Sequence, residues 1–166
     1  MKVLVVDDEP LARDRLRRLL AAVQADAECF FASNGEEALE QVAVTEPDLL
    51  LLDIRMPGMD GIETLHEIKK NHPLLGVIIL TGYATVKTSV EAMKTGAFEY
   101  LEKPYDIEQL VAIIKAALAR KRKFEDRIFD AKIKPYCSGR ERKRLITDLI
   151  DDAAGSGRRS RENEEK

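Results

Sequence analysis

The sequence predicts an α/β fold: a five-stranded doubly wound parallel sheet followed by a helical C-terminal extension. Three observations carry this. Short apolar runs alternate with amphipathic segments of helical length, the pattern of parallel βαβ units with right-handed crossovers and helices on both faces. The run from Leu49 to Leu52 is four leucines in succession, which marks a strand buried on both faces, and it breaks at Asp53 into a Pro/Gly turn. Several apolar runs also end in residues with chemistry to offer: Asp7 and Asp8, Asp53, Thr81 and Lys103.

Taken in order, Val3 to Val6 is a β-branched strand ending at Asp7 and Asp8. Pro10 suits the first turn of a helix. Leu11, Leu16, Leu19, Leu20 and Val23 supply its apolar stripe against Arg13, Arg15, Arg17 and Arg18. Cys29 to Ala32 reads as the second strand. Asn34 is a helix cap followed by Glu36 and Glu37 in the first turn, with Ala38, Leu39 and Val42 inward. Leu49 to Asp53 is the third strand, and Pro57 to Gly61 a turn. Ile62, Leu65 and Ile68 have helical spacing, and Pro73 is a stop signal beyond Lys70. Val77 to Leu80 is the fourth strand, ending at Thr81.

Thr85 to Lys94 is a helix with few large apolar residues, Val86, Val90 and Met93, and Gly96 is placed to close it. Its weak anchoring makes it a candidate for movement. Phe98 to Leu101 is the fifth strand, running to Lys103 before Pro104. Asp106 then caps a long helix carrying Ile107, Leu110, Val111, Ile114, Ala117 and Leu118.

Strands of a parallel sheet point the same way, so Asp7, Asp8, Asp53, Thr81 and Lys103 share one rim, where open α/β sheets bind ligands. Taken singly, each has a bland reading as a turn residue, a strand end or a surface lysine. Together they place three carboxylates side by side, which requires a cation or a proton to offset the charge. An all-oxygen acidic cluster suits Mg²⁺ or Mn²⁺, hard cations that bind through one or two carboxylates and a phosphate oxygen. A phosphoryl group is the implied substrate. Asp53, at the end of the central strand, is the placed nucleophile; Lys103 offers positive charge and Thr81 a hydroxyl.

Those residues carry a resemblance. VLVVDDEP at residues 3–10, LLLLDIRMPGMDGIE at 49–63, IILTGYA at 78–84 and GAFEYLEKPY at 96–105 resemble, in order and spacing, the receiver domain of two-component response regulators. DIRMPGMDG and GAFEYLEKP look most like receivers of bacterial enhancer-binding activators. The resemblance covers residues 1 to about 120 and implies the flavodoxin-like receiver fold. It implies that Asp53 is the phosphoacceptor, loaded by a histidine kinase or phosphotransfer protein. Asp8 and Asp53 would bind Mg²⁺, with Asp7 acting through water and the Arg55 backbone carbonyl as a further ligand. Thr81 and Lys103 keep the roles that the chemistry suggested. Tyr100 becomes the switch aromatic that follows Thr81, and Arg55 and Tyr83 the positions that tune hydrolysis of the aspartyl phosphate. Self-catalysed phosphotransfer and slow autodephosphorylation are implied, as a switch of protein contacts.

A small-molecule phosphotransferase or phosphatase would use the same chemistry, but it needs a substrate cap, and no insertion is large enough to form one. The chain is 166 residues long. Its N-terminus lacks the apolar run of a secretory signal, and no stretch approaches a membrane span, so a cytoplasmic protein is expected. Cys29 and Cys137 have neither disulfide nor metal-site spacing. Charge is uneven: residues 1–119 hold 12 Lys/Arg against 20 Asp/Glu, a net of −8, and residues 120–166 hold 15 against 10, a net of +5. A basic tail attracts acidic partners, but nucleic-acid binding by this chain ranks below the switch.

Past the receiver, at residues 1–120, a helical extension is expected at 121–154 and a disordered tail at 155–166. Ile107, Leu110, Ile114, Ala117, Lys121, Phe124 and Ile128 follow alternating spacings of a coiled-coil seam, which offers a homodimer through helix 106–129. KIKPYCSG at 132–139 breaks it, and Arg140 to Asp152 has the pattern of one further helix. No P-loop or helix-turn-helix output module is recognisable.

Overall fold

The computed structural model describes residues 1–135 and 137–155. Five strands, β1 (Lys2–Val6), β2 (Glu28–Ala32), β3 (Leu49–Leu52), β4 (Gly76–Thr81) and β5 (Glu99–Glu102), alternate with α1 (Pro10–Val23), α2 (Gly35–Thr45), α3 (Gly61–Asn71) and α4 (Val86–Thr95). Two helices complete the described chain, α5 (Ile107–Ile133) and α6 (Gly139–Gly155). The sheet is wholly parallel in the order β2-β1-β3-β4-β5. The chain therefore reverses its direction of winding between β1 and β3, and the crevice beyond their C-terminal ends is where such sheets place ligands.

Alternation along the strands divides the core in two. Leu4, Val6, Leu50, Leu52, Val77 and Ile79 pack with Ala38 and Val42 of α2, Leu65 and Ile68 of α3, and Ala92 of α4. Val3, Val5, Leu49, Leu51, Ile78 and Leu80 face the other way, onto Leu16 and Leu20 of α1 and Leu110 and Ile114 of α5. All four leucines of β3 are buried, as a central strand covered on both sides requires. Each such side chain contributes about 1.5–3 kcal/mol on leaving water.

The expected caps at Asn34 and Asp106 form: Asn34 accepts from the Glu37 N–H at 2.9 Å and Asp106 from the Gln109 N–H at 2.9 Å. A further cap, not among those expected from the sequence, is the reciprocal capping box of Asp60 and Glu63 on α3. Helix α4 is thinly anchored: Ala92 is its buried residue, and Val86 and Val90 are exposed.

Two expectations change. Leu11 is exposed rather than part of the α1 stripe, because its spacing from Leu16 carries it round the helix, away from Leu16 and Leu20. The coiled-coil seam is also interrupted. Ile107 is exposed, and Leu110, Ile114 and Ala117 belong to the receiver core. Lys121 occupies the seam's polar position because its ammonium donates to Asp48 at 2.6 Å, fixing α5 to the entry of β3. Beyond it, α6 folds back on α5: Ala131 and Ala153 are buried, Phe124 and Ile128 are half-buried, and Arg120 donates to the Ala153 carbonyl at 2.7 Å. The seam has an intramolecular cover. The expected tail falls outside the described residues, apart from Gly155 at the end of α6.

Candidate functional site

The C-terminal ends of β1 and β3 bring Asp7, Asp8 and Asp53 together, with one carboxylate oxygen from each lying within 4.8 Å of the others. Asp7 and Asp53 are buried and Asp8 is exposed. The backbone sets their places: the Asp53 N–H donates to the Val6 carbonyl at 2.8 Å and the Asp7 N–H to the Ala32 carbonyl at 3.2 Å. Each buried carboxylate also accepts from a nearby backbone N–H, Asp7 from Glu9 at 2.9 Å and Asp53 from Ile54 at 2.8 Å.

Lys103 reaches this pair from β5. Its Nζ lies 2.7 Å from Asp7 Oδ2 and 3.6 Å from Asp53 Oδ2. The Lys103 N–H donates to the Thr81 carbonyl at 2.8 Å, so β4 and β5 deliver Thr81 and Lys103 to the same rim. Burial works against the Lys103 ammonium, yet the Asp7 hydrogen bond and the charges of Asp7 and Asp53 outweigh it and hold its pKa above the ordinary lysine value. Burial also pushes the Asp53 carboxyl up. Lys103 opposes that rise, Asp7 adds to it, and the Thr81 hydroxyl and the Ile54 N–H lower it. One ammonium thus offsets only part of the clustered negative charge, and the donor set is all oxygen, which fits a hard divalent cation.

Gly61 closes the loop after Asp53. Its N–H donates to the Ile54 carbonyl at 2.8 Å, and a Cβ there would lie 2.1 Å from the Asp53 carbonyl oxygen. Only glycine permits that approach.

The remaining expected residues surround this centre. Thr81 is fully buried and its hydroxyl accepts from the Tyr83 N–H at 3.2 Å. Arg55 and Tyr83, both exposed, stack on one another with the guanidinium carbon 3.6 Å from the ring centre. Tyr100 is half-buried against the core, and its hydroxyl lies 3.0 Å from Thr88 Oγ1 on α4. Sequence reasoning missed two partners. Arg13, read as a solvent-facing arginine of α1, donates to the Asp7 carbonyl. Thr88 carries no signal of its link to Tyr100, although the Thr85-x-x-Thr88 spacing at the start of α4 is a capping pattern.

Residues 3–115 match the family model described as the response regulator receiver domain. The chain belongs to that family. The receiver is 47% identical over 117 residues to the DNA-binding transcriptional regulator NtrC of Escherichia coli K12, a match covering 70% of this chain and 24% of NtrC. It is 44% identical over 119 residues to the regulatory protein AtoC of the same organism, across 70% of this chain and 25% of AtoC. The chain thus spans about a quarter of the length of these relatives. Among solved structures, a receiver domain protein from Clostridium thermocellum aligns with a TM-score of 0.68 and 37% identity, covering 74% of this chain and 97% of that one. The receiver domain of NtrX from Brucella abortus aligns with a TM-score of 0.65 and 35% identity, covering 70% and 98%. As expected, the relatives are regulators of the enhancer-binding activator type, and the fold is that of two-component receivers. Receivers bind Mg²⁺ in an acidic pocket, and Asp7, Asp8 and Asp53 form such a cluster here. Among the described residues, no helix is long and apolar enough to cross a membrane.

Proposed function

We propose that this receiver takes a phosphoryl group onto a carboxylate oxygen of Asp53 from the phosphohistidine of a histidine kinase or phosphotransfer protein in the cytoplasm. The P–N bond breaks as the Asp53 O–P bond forms. The observation that carries this reading is the placement of Lys103 Nζ between two buried carboxylates, 2.7 Å from Asp7 and 3.6 Å from Asp53. Asp53 stands at the end of the central strand with its backbone fixed by Val6, positioned rather than mobile.

Mg²⁺, or Mn²⁺, would be held by Asp8 and Asp53, with Asp7 acting through water and the Arg55 backbone carbonyl as a further ligand. Bound there, it supplies positive charge to the carboxylates and the phosphoryl oxygens. The chain's own groups do the rest. Asp53 is the nucleophile, Lys103 steadies the negative oxygens, and the buried Thr81 hydroxyl donates to one of them. Drawing Thr81 inward changes what Tyr100 packs against, and Tyr100 is tied to α4 through Thr88. That two-packing switch alters protein contacts on the α4 side. Arg55 and Tyr83 tune the lifetime of the aspartyl phosphate, which the receiver itself slowly hydrolyses. Residues 1–120 form the switch and 121–154 a helical extension.

The test is incubation with an acyl phosphate and Mg²⁺, followed by intact-mass measurement. One base-labile phosphoryl group is expected, lost in Asp53→Asn and on chelation. Labelling of Asp53→Asn at the wild-type level would overturn the assignment.

A further inference from the structure

We propose that the α5–α6 hairpin docks a second copy of this chain, with α6 of one copy running antiparallel along α6 of the other. Ile146, Leu149 and Ile150 of α6 are half-buried and Ala153 is buried, in a helix that packs on α5. The flank of the hairpin stays open. There a groove of about 770 Å³ is lined by Ile133 of α5 and by Leu145 and Leu149 of α6. Ile133 is 59% exposed and Leu145 37%, and Phe129, one turn before Ile133, is 61% exposed. These are large apolar side chains on helices that have left the receiver core.

Charge identifies the occupant. Arg140, Arg144, Asp148 and Asp152 recur at a spacing of four along α6 and are all exposed, basic in the first half and acidic in the second. They form a band that winds about 40° round the helix at each step, so that Arg144 and Asp148 share a face and Arg140 and Asp152 lie about 120° apart. Among the described residues, Arg140, Arg144 and Asp148 have no ion-pair partner within 4.0 Å, and Asp152 reaches only Arg127, at 3.8 Å and in solvent. A two-fold axis at the level of Ile146 places Arg144 of each copy opposite Asp148 of the other, with Arg140 and Asp152 level with one another on the flanks of the contact. Two ion pairs arise at the centre of the contact from one pair of residues. A parallel alignment would instead set arginine on arginine and aspartate on aspartate. A stripe complementary only to its own reverse fits the isologous contact of a two-fold dimer. The two Leu145 side chains then meet near the axis, flanked by Ile133. This contact differs from a seam along α5, whose distal half α6 already covers, and it does not depend on the assignment of Asp53.

Sedimentation velocity of the unphosphorylated full chain across a concentration series tests it. A reversible dimer is expected that weakens with added salt and dissociates in Leu145→Asp. Arg144→Asp and Asp148→Arg should each weaken association by about tenfold or more, because each sets like charges face to face. The double variant Arg144→Asp/Asp148→Arg should restore it, with circular dichroism confirming that α6 is retained. A monomer at every concentration, which would leave the groove to another protein, overturns the proposal. So does a dimer indifferent to salt and to the single charge reversals, or one that the double reversal fails to restore.

Discussion

The Tyr100 hydroxyl lies 3.0 Å from Thr88 Oγ1, joining the last strand of the receiver to the first turn of α4. Thr88 also closes the α4 cap: its N–H donates to Thr85 Oγ1 at 3.1 Å, and its own Oγ1 accepts from the Thr85 N–H at 3.1 Å. A helix with one buried residue is therefore held at its start by the same hydroxyl that meets Tyr100. Thr88→Val should cost about 0.5–1.5 kcal/mol in denaturant unfolding, the net worth of a typical hydrogen bond and the loss of a cap. Combined with Tyr100→Phe, the two losses should be less than additive, because they share one interaction. Strict additivity would show that the contact carries no energy.

Lys103 is the ammonium between two buried carboxylates, so Lys103→Ala leaves Asp7 and Asp53 repelling one another. The fold should survive, because its core is contributed by other residues on both faces of the sheet. Some phosphorylation should remain, while the downstream change in contacts is lost. A variant that is phosphorylated and also switches fully, followed by amide chemical shifts on adding beryllofluoride, would reduce Lys103 to a structural ion pair.

How much of this was legible in the sequence depends on whether a signal is local. The strands were, because Val3–Val6 and Leu49–Leu52 are apolar runs whose covering on both sides is written in their lack of alternation. So was the rim, because parallel strands bring Asp7, Asp53, Thr81 and Lys103 to one edge whatever lies between. Leu11 failed because a leucine near a stripe looks like part of it until the spacing is counted round the helix. Arg13 and Thr88 failed for another reason: a polar side chain with a distant partner has the same sequence signature as one in water. The cover that α6 places over Phe124 and Ile128 was hidden in the same way, since periodicity shows that a face is apolar and not what lies on it.

Gly61 should tolerate no side chain. Its missing Cβ would lie 2.1 Å from the Asp53 carbonyl oxygen and 2.7 Å from Ile54 Cα, both backbone atoms. Gly61→Ala should destabilise the protein by about 1–3 kcal/mol or more through overpacking. It should also slow phosphorylation by shifting the residue that accepts the group. Unfolding and phosphorylation rates both at wild-type values would mean that the loop relaxes freely.

Lys69 gives the protein a pH dependence of calculable sign. Its Nζ donates to the Leu75 carbonyl at 2.6 Å, and burial, joined by repulsion from Arg120, brings its pKa down from 10.5 to about 8. Between those values the unfolded chain binds more protons at this site than the folded one, so this group makes stability rise with pH across the window. Below about 8 the cost of burying the ammonium is present in full. Lys69→Met should flatten the slope of unfolding free energy against pH in that window. A direct NMR titration of the Lys69 side chain near 10.5 would remove the effect.

The stack of Arg55 on Tyr83, 3.6 Å from guanidinium carbon to ring centre, ties the loop after β3 to the loop after β4. Arg55 stands two residues beyond Asp53 and Tyr83 two beyond Thr81, so the pair bridges the two strand ends that the phosphoryl group would join. An exposed cation on an aromatic face is worth about 0.5–1 kcal/mol, and losing either partner should cost no more than that in stability. The effect on lifetime should be clearer, because freeing both loops opens the aspartyl phosphate to water. Arg55→Ala and Tyr83→Ala should each shorten the half-life of the phosphorylated protein, and the double variant should be no shorter-lived than the faster single. Loss of phosphate followed by intact mass reads all four proteins at once. Two independent effects that multiply in the double variant would show that Arg55 and Tyr83 act separately, and that the stack itself does not govern hydrolysis.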